Sequence, residues 1–402
     1  MHFLYNIGIH LLRFGMRVAS LFNPKIKEGI VGRKQLFKNL PIVNTENVVW
    51  FHCASLGEFD QGLPLMKKMV NKDPSIFLLV TFFSPSGMNF YQKRERIADY
   101  VMYLPLDTPK SAKRFIKHFK PKKAFFVKYE FWFNHISEAK SQGTRIYNVS
   151  GLFRGNQRFF SWYGGIFRKL LKKFDWFFVQ DDHSKQLLNS IGLKNATISG
   201  DSRFDRVIEN KSLVKENKYI EEFKNNENML IIGSSWPEDE AILIPWIKQH
   251  SGKILLAPHN IDMQHIKNIQ QQLPDATRYT NAKKGELSTK KILILDTIGQ
   301  LANAYSFGNI AYVGGGFSGN LHNILEPAVF GLPVIFGPNH KRFPEGKEFI
   351  ENGFGFSIAT TQEFENAYRS INENYNDISM KEINFVTKNA GATDRIMKKL
   401  KT

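Results

Sequence analysis

At 402 residues the chain can hold two domains of ordinary size, and 42% hydrophobic with 23% charged residues is a globular composition. Its one cysteine, Cys53, excludes an intrachain disulfide and a thiolate metal cluster and fits a reducing compartment. The net charge of +18 is one-sided: residues 1–210 carry 33 Lys/Arg against 16 Asp/Glu, whereas residues 211–402 carry 22 against 21. The first half is therefore suited to meet nucleic acid, an anionic membrane surface or a phosphorylated substrate.

In residues 1–23 the spacing predicts an amphipathic helix. Asn6, His10, Arg13, Arg17 and Ser20 fall on one face, and Phe3, Leu4, Ile7, Leu11, Phe14, Val18 and Leu21 on the other. The uncharged run is shorter than the roughly 20 apolar residues a bilayer span needs. The start also lacks the charged region and cleavage site of a signal peptide. The helix reads as lying in a membrane interface, followed by Lys25, Lys27, Arg33, Lys34 and Lys38. A terminal helix packed on its own domain has the same periodicity, so both readings stay open here.

Strands are expected at 48–52, 76–81, 123–127, 144–149 and 176–180, alternating with helical segments, which argues a doubly wound α/β domain over 24–210. Glu58 falls at the junction between the first strand and the helix after it, the usual place for functional side chains in a parallel sheet. An acid there also complements the helix dipole. Two acid-free basic clusters follow, at 110–128 and 154–173, the second interleaved with Phe159, Phe160, Trp162, Tyr163 and Phe167. Cations and aromatics together suit a lipid-headgroup surface, and no nucleic-acid-binding motif accompanies them. His52, His118 and His183 lack metal-ligand spacing and receive no role.

A polar stretch, 211–228, reads as a linker. Strands at 229–234, 253–258, 292–295, 310–313 and 333–336 then build a second domain, 229–402. Between the last two strands runs Gly314-Gly-Gly-Phe-Ser-Gly-Asn-Leu-His-Asn-Ile-Leu-Glu326, read as a glycine-rich loop opening into a helix capped by Gly331. Such a loop can bring backbone N–H groups to an anion, and Glu326 can accept hydrogen bonds from sugar hydroxyls. An ordinary strand–helix turn has the same glycines.

Ala54-Ser-Leu-Gly-Glu58, Tyr103-Leu-Pro-Leu-Asp107, Glu130-Phe-Trp132, Gly200-Asp-Ser-Arg-Phe-Asp205, Asp296-Thr-Ile-Gly299, His322-Asn-Ile-Leu-Glu-Pro327 and Gly337-Pro338 follow one another along nearly the whole chain. In that order they resemble the bacterial 3-deoxy-D-manno-octulosonic acid (Kdo) transferase family of GT-B glycosyltransferases. The resemblance implies two Rossmann-like domains facing a central cleft. It also implies transfer of Kdo from CMP-Kdo to the lipid A precursor, inverting and metal-independent, with no cofactor and no nucleic-acid partner, on the cytoplasmic face of the inner membrane. Glu58 falls on the family's general base, and Glu130 and Arg203 on its transition-state-assisting positions. CMP contacts fall on Pro258 and His259, on Ile298, Gly299 and Gln300, and on Asn323, Ile324, Leu325 and Glu326. The chain departs from the family's Pro-Arg at His259, from its Met-Gly-Glu at Ile298 and Gln300, from its lysine at Arg203, and from a helix-start histidine at Trp236. Another GT-B glycosyltransferase, or an epimerase using a UDP-sugar, is the alternative.

Overall fold

The computed structural model describes residues 2–43, 46–91 and 96–401. Among the described residues fourteen strands form two sheets, and every pairing between neighbours is parallel. The first sheet holds β1 (Val48–Cys53), β2 (Phe77–Phe82), β3 (Tyr100–Tyr103), β4 (Lys123–Val127), β5 (Arg145–Gly151), β6 (Trp176–Val179) and β7 (Ala196–Ile198), ordered β3-β2-β1-β4-β5-β6-β7. The second holds β8 (Met229–Ser235), β9 (Lys253–Pro258), β10 (Thr277–Arg278), β11 (Ile292–Ile294), β12 (Ile310–Val313), β13 (Val334–Phe336) and β14 (Gly355–Ser357), ordered β10-β11-β9-β8-β12-β13-β14.

The inner strands are mostly apolar because helices cover both faces, with polar exceptions such as His52, Thr81 and Asn148. In β1 all six residues are buried: Val48 and Trp50 face one core with Phe115 and Phe126, while Val49 and Phe51 face another with Met66 and Phe125. This alternation is the pleat of a strand read through burial. In both sheets the chain winds one way from a central strand and then returns to wind the other way. The reversal falls between β1 and β4 in the first sheet and between β8 and β12 in the second. Ligands of such sheets bind outside the carboxyl ends of those strands.

The chain divides into one unit of Met1–Arg206 with Ala390–Thr402 and a second of Val207–Asn389. This differs in two places from the boundaries expected above. Residues 390–402 join the first unit instead of ending the second domain: Ile396 and Met397 are buried in its core, and Asp205 accepts hydrogen bonds from the N–H groups of Gly391, Ala392 (3.3 Å) and Thr393 at the start of helix Ala392–Lys399. Residues 211–228 are not a free linker. They contain helix Lys218–Lys224, whose Ile220 and Phe223 are buried in the second unit's core.

Residues His2–Ala19 form the expected N-terminal helix. Its inner face is mixed: Ile9 is buried, Tyr5 OH donates to Asp107 Oδ2 (2.5 Å), and Asn134 Nδ2 donates to Asn6 Oδ1 (2.9 Å). Its outer face is apolar, with Phe3 74%, Leu11 65% and Phe14 66% exposed. Among the described residues no helix is long and apolar enough to cross a membrane.

Candidate active site

In the first unit the candidate residues lie at the carboxyl ends of β1 and β4. β1 runs into helix Leu56–Lys72, and Glu58 is the third residue of that helix. Its Oε2 accepts the backbone N–H of Ser55 (3.0 Å) and the Ser55 hydroxyl, so a capping interaction fixes the carboxylate over the helix start. Its other oxygen, Oε1, lies 3.8 Å from Lys128 Nζ. Lys128 follows β4 with φ 62, the left-handed region that a side chain enters at a cost. Buried Asn148 holds that conformation by donating through Nδ2 to the carbonyls of Phe126 (3.0 Å) and Lys128. From the sequence Lys128 was only one member of a basic cluster; its backbone, which no sequence pattern signals, brings it to Glu58.

Two residues on is Glu130. Burial first, and the negative charge of Glu58 second, push its carboxyl above the usual range. Glu58 and Glu130 therefore form a pair of interacting carboxyls at the sheet's switch point.

His52, given no role from its spacing, proves central to this loop. Trp132 Nε1–H donates to His52 Nε2 (3.0 Å), which leaves the ring proton on Nδ1 to be donated to Thr81 Oγ1 (3.0 Å). Thr81 also accepts from Trp50 Nε1 (2.8 Å) and donates to the Phe51 carbonyl. Burial lowers His52 to about 3, with the nearby His135 adding to the effect, so the neutral tautomer required by these bonds is the stable one. Trp132 is stacked on Phe83 at 4.9 Å. Asp107 caps the next helix, Phe133–Ser141, accepting from the N–H groups of Asn134 (2.9 Å) and His135 (2.8 Å). Burial pushes Asp107 up, but hydrogen bonds from His135 and Tyr5 outweigh it and hold the carboxyl below the usual range.

Arg203 lies on helix Ser202–Ser212, after β7. Its guanidinium pairs with Asp201 (Nη2–Oδ2 2.7 Å), not with Asp205, which caps the C-terminal helix. The helix turns back toward Glu58's own helix through Arg206, whose Nε lies 4.0 Å from Asp60 Oδ1.

In the second unit the candidate residues lie at the carboxyl ends of β8, β9 and β12. Pro258 ends β9, and His259 N–H donates to the Ser235 carbonyl (2.9 Å). The His259 ring stacks on Trp236 at 4.3 Å and lies 4.6 Å from the His322 ring. Trp236 Nε1–H donates to His322 Nε2 (3.2 Å); burial, helped by His259, lowers His322 to about 4 and keeps it neutral as an acceptor. The departures at Trp236 and His259 thus form one stack together with His322.

The glycine loop is built differently from the expectation. The helix it leads to is a single turn, Leu325–Ala328, so it supplies no long helix dipole. Gly316 is needed because a Cβ there would lie 2.5 Å from the Gly337 nitrogen, backbone against backbone where β12 and β13 end. Gly315, with φ 88, donates its N–H to buried Asp239 (2.9 Å), which also accepts from Tyr312 OH (2.7 Å) and from the N–H of Trp236 (2.8 Å). Asp239, unread in the sequence, fixes the glycine loop to the Trp236 turn. Beyond the loop, Asn323 Nδ2 donates to Glu326 Oε1 (3.3 Å), and its Oδ1 accepts from Leu325 N–H (3.2 Å). The side chains of Ile324 and Leu325 are buried in the core, so only their backbones can meet a ligand. Ile298 is 70% exposed, Gly299 has φ 87, and Gln300 Oε1 accepts from Asn217 (3.2 Å).

Two doubly wound parallel domains, each with polar side chains gathered at its switch point, are the architecture of a GT-B-like fold. The 3-deoxy-D-manno-octulosonic-acid transferase (kdotransferase) family model matches residues 30–206. The 3-deoxy-D-manno-octulosonic acid transferase of Aquifex aeolicus is 28% identical over 342 residues, 82% of this chain and 87% of its own. That of Rickettsia bellii is 26% identical over 373 residues, 87% of this chain and 86% of its own. Over most of its length this chain is similar to Kdo transferases. A solved UDP-N-acetylglucosamine 2-epimerase matches with a TM-score of 0.61 at 12% identity, covering 88% of this chain and 95% of that one, a likeness of fold alone.

Proposed function

We propose that the chain transfers Kdo from CMP-Kdo to the lipid A precursor, in one inverting displacement without a metal, at the cytoplasmic face of the inner membrane. The observation that carries this reading is the Glu58–Glu130 carboxyl pair at the first switch point, with Glu130 raised by burial and by its neighbour. Glu58 takes the proton of the attacking acceptor hydroxyl as that oxygen bonds to the anomeric carbon. The bond from that carbon to the phosphate oxygen breaks, and its electron pair leaves with CMP. Glu130, whose carboxyl is raised by burial and by Glu58, can hydrogen-bond to the reacting sugar. Arg203 offsets developing negative charge from the Asp201-braced guanidinium.

The donor's CMP is assigned to the second unit. Pro258, His259 and the Trp236 stack take the nucleotide, Ile298, Gly299 and Gln300 the loop beside it, and Asn323 to Glu326 the ribose. The exposed apolar face of the N-terminal helix and the excess charge of the first half support a peripheral seat on an anionic membrane. The test is incubation with CMP-Kdo and the tetraacylated lipid A precursor, followed by CMP release and the product mass. Release of CMP with a Kdo-sized mass gain is expected; no gain with this acceptor would refute the assignment.

A further inference from the structure

Between the N-terminal helix, helix Pro24–Arg33 and the loop after β3 lies a cavity of ≈ 240 Å³. Its walls include four cations, Arg13, Arg17, Arg33 and Lys34, and two hydroxyls, Thr108 and Ser111; no carboxylate lines it among the described residues. Arg33 is the fixed wall. Its guanidinium lies 4.7 Å from the Phe83 ring and 4.8 Å from that of Tyr103, and it donates to the carbonyls of Gly29 (2.9 Å), Leu104 (3.0 Å) and Phe83 (2.5 Å). Arg13, Arg17 and Lys34 are solvent-exposed, and among the described residues their side chains have no hydrogen bond or ion pair. Thr108 caps the Pro109–Phe119 helix by accepting Ser111 N–H (3.2 Å), so a helix start opens onto the same space. Cations gathered around one cavity without a counter-charge repel one another until an anion joins them.

We propose that this cavity binds the phosphodiester of an anionic glycerophospholipid headgroup. The occupant follows from the helix that supplies Arg13 and Arg17, because Phe3, Leu11 and Phe14 on the same helix also face solvent. Acyl chains can lie along that stripe while the phosphate turns to the arginines, the arrangement of a cationic interfacial helix. The inference rests on the membrane reading above and adds to it a defined site in place of diffuse attraction.

The test titrates the full chain with vesicles of phosphatidylcholine alone and of phosphatidylcholine with phosphatidylglycerol. Three proteins are compared: wild type, an Arg13→Gln/Arg17→Gln/Lys34→Gln variant, and a Lys284→Gln/Lys347→Gln/Lys388→Gln control that removes the same charge from the second unit. Circular dichroism verifies that each is folded. In parallel, the phosphorus resonance of soluble glycerophosphoglycerol, and of inorganic phosphate, is followed with each protein. The cavity variant is expected to lose about tenfold or more in binding to phosphatidylglycerol vesicles, and the control little. Wild type and control, but not the cavity variant, are expected to broaden the headgroup resonance. Equal losses in the two variants would overturn the site in favour of diffuse charge. Broadening of inorganic phosphate with unchanged vesicle binding would make it a free-phosphate site and overturn the lipid. Wild type bound to neither vesicle would refute the membrane reading and the lipid occupant with it, while the phosphorus signal would still report on the cavity separately.

Discussion

Trp132 Nε1–H donates to His52 Nε2 across 3.0 Å, and this bond ties the loop carrying Glu130 to the buried end of β1. His52→Phe removes the acceptor and strands an indole N–H and a threonine hydroxyl. It should cost roughly 1–3 kcal/mol in urea unfolding and lower kcat more than it raises either KM. His52→Gln, which can both accept and donate, should recover much of the loss.

The two buried histidines also set an acid limit. His52, lowered to about 3, and His322, lowered to about 4, bind fewer protons folded than unfolded, where histidine titrates near about 6.5. Their contribution to stability is complete above about pH 6.5 and is lost as pH falls through the folded values. Urea midpoints measured across that window should fall with acid, and less steeply for His52→Gln than for wild type.

Glu382 has the opposite sign. It is fully buried on helix Tyr375–Asn389, both carboxyl oxygens lack a hydrogen-bond partner among the described residues, and burial raises it well above the usual range. The folded state keeps its proton while an unfolded glutamate releases it near about pH 4.3. Its stability term is therefore complete below that pH and lost as pH rises through the folded value. Glu382→Met should stabilise the protein at pH 7 by about 1–3 kcal/mol, with an advantage that shrinks toward pH 4. Unfolding at both pH values decides it; a variant less stable at pH 7 would show that the carboxyl has a partner.

In the second unit, Trp236 is the aromatic platform over which the nucleotide base is assigned. Trp236→Ala should weaken CMP binding by about tenfold or more in calorimetry, whereas Trp236→Phe should keep much of the affinity. Equal affinities for wild type and Trp236→Ala would move the base elsewhere.

Replacing Phe3, Leu11 and Phe14 together by serine should reduce vesicle binding severalfold without lowering the melting temperature, because these side chains face solvent and support no core. A large drop in melting temperature would show that the face is packed.

The inner strands of both sheets were legible because burial on two faces demands a mostly apolar run. The four strands left unread, β3, β7, β10 and β14, are the sheet edges. Each is short and only partly buried, so none offers the buried run that marks an inner strand. Glu58 was visible as an acid placed just after a strand, and Glu130 through the order of the motifs that carries the resemblance. Lys128 was not, since its place depends on a left-handed backbone that Asn148 holds from another strand. The last helix was misassigned because its contacts to Asp205 and the first core are remote in sequence, and local periodicity cannot say which core a helix joins.

The base itself is tested most directly by Glu58→Gln, which keeps the shape and the acceptor oxygen for Ser55 but removes the carboxylate. CMP release from CMP-Kdo with the lipid A precursor should fall by about 10²–10⁴-fold while CMP affinity stays unchanged. A Glu58→Gln enzyme that releases CMP at the wild-type rate would contradict the account.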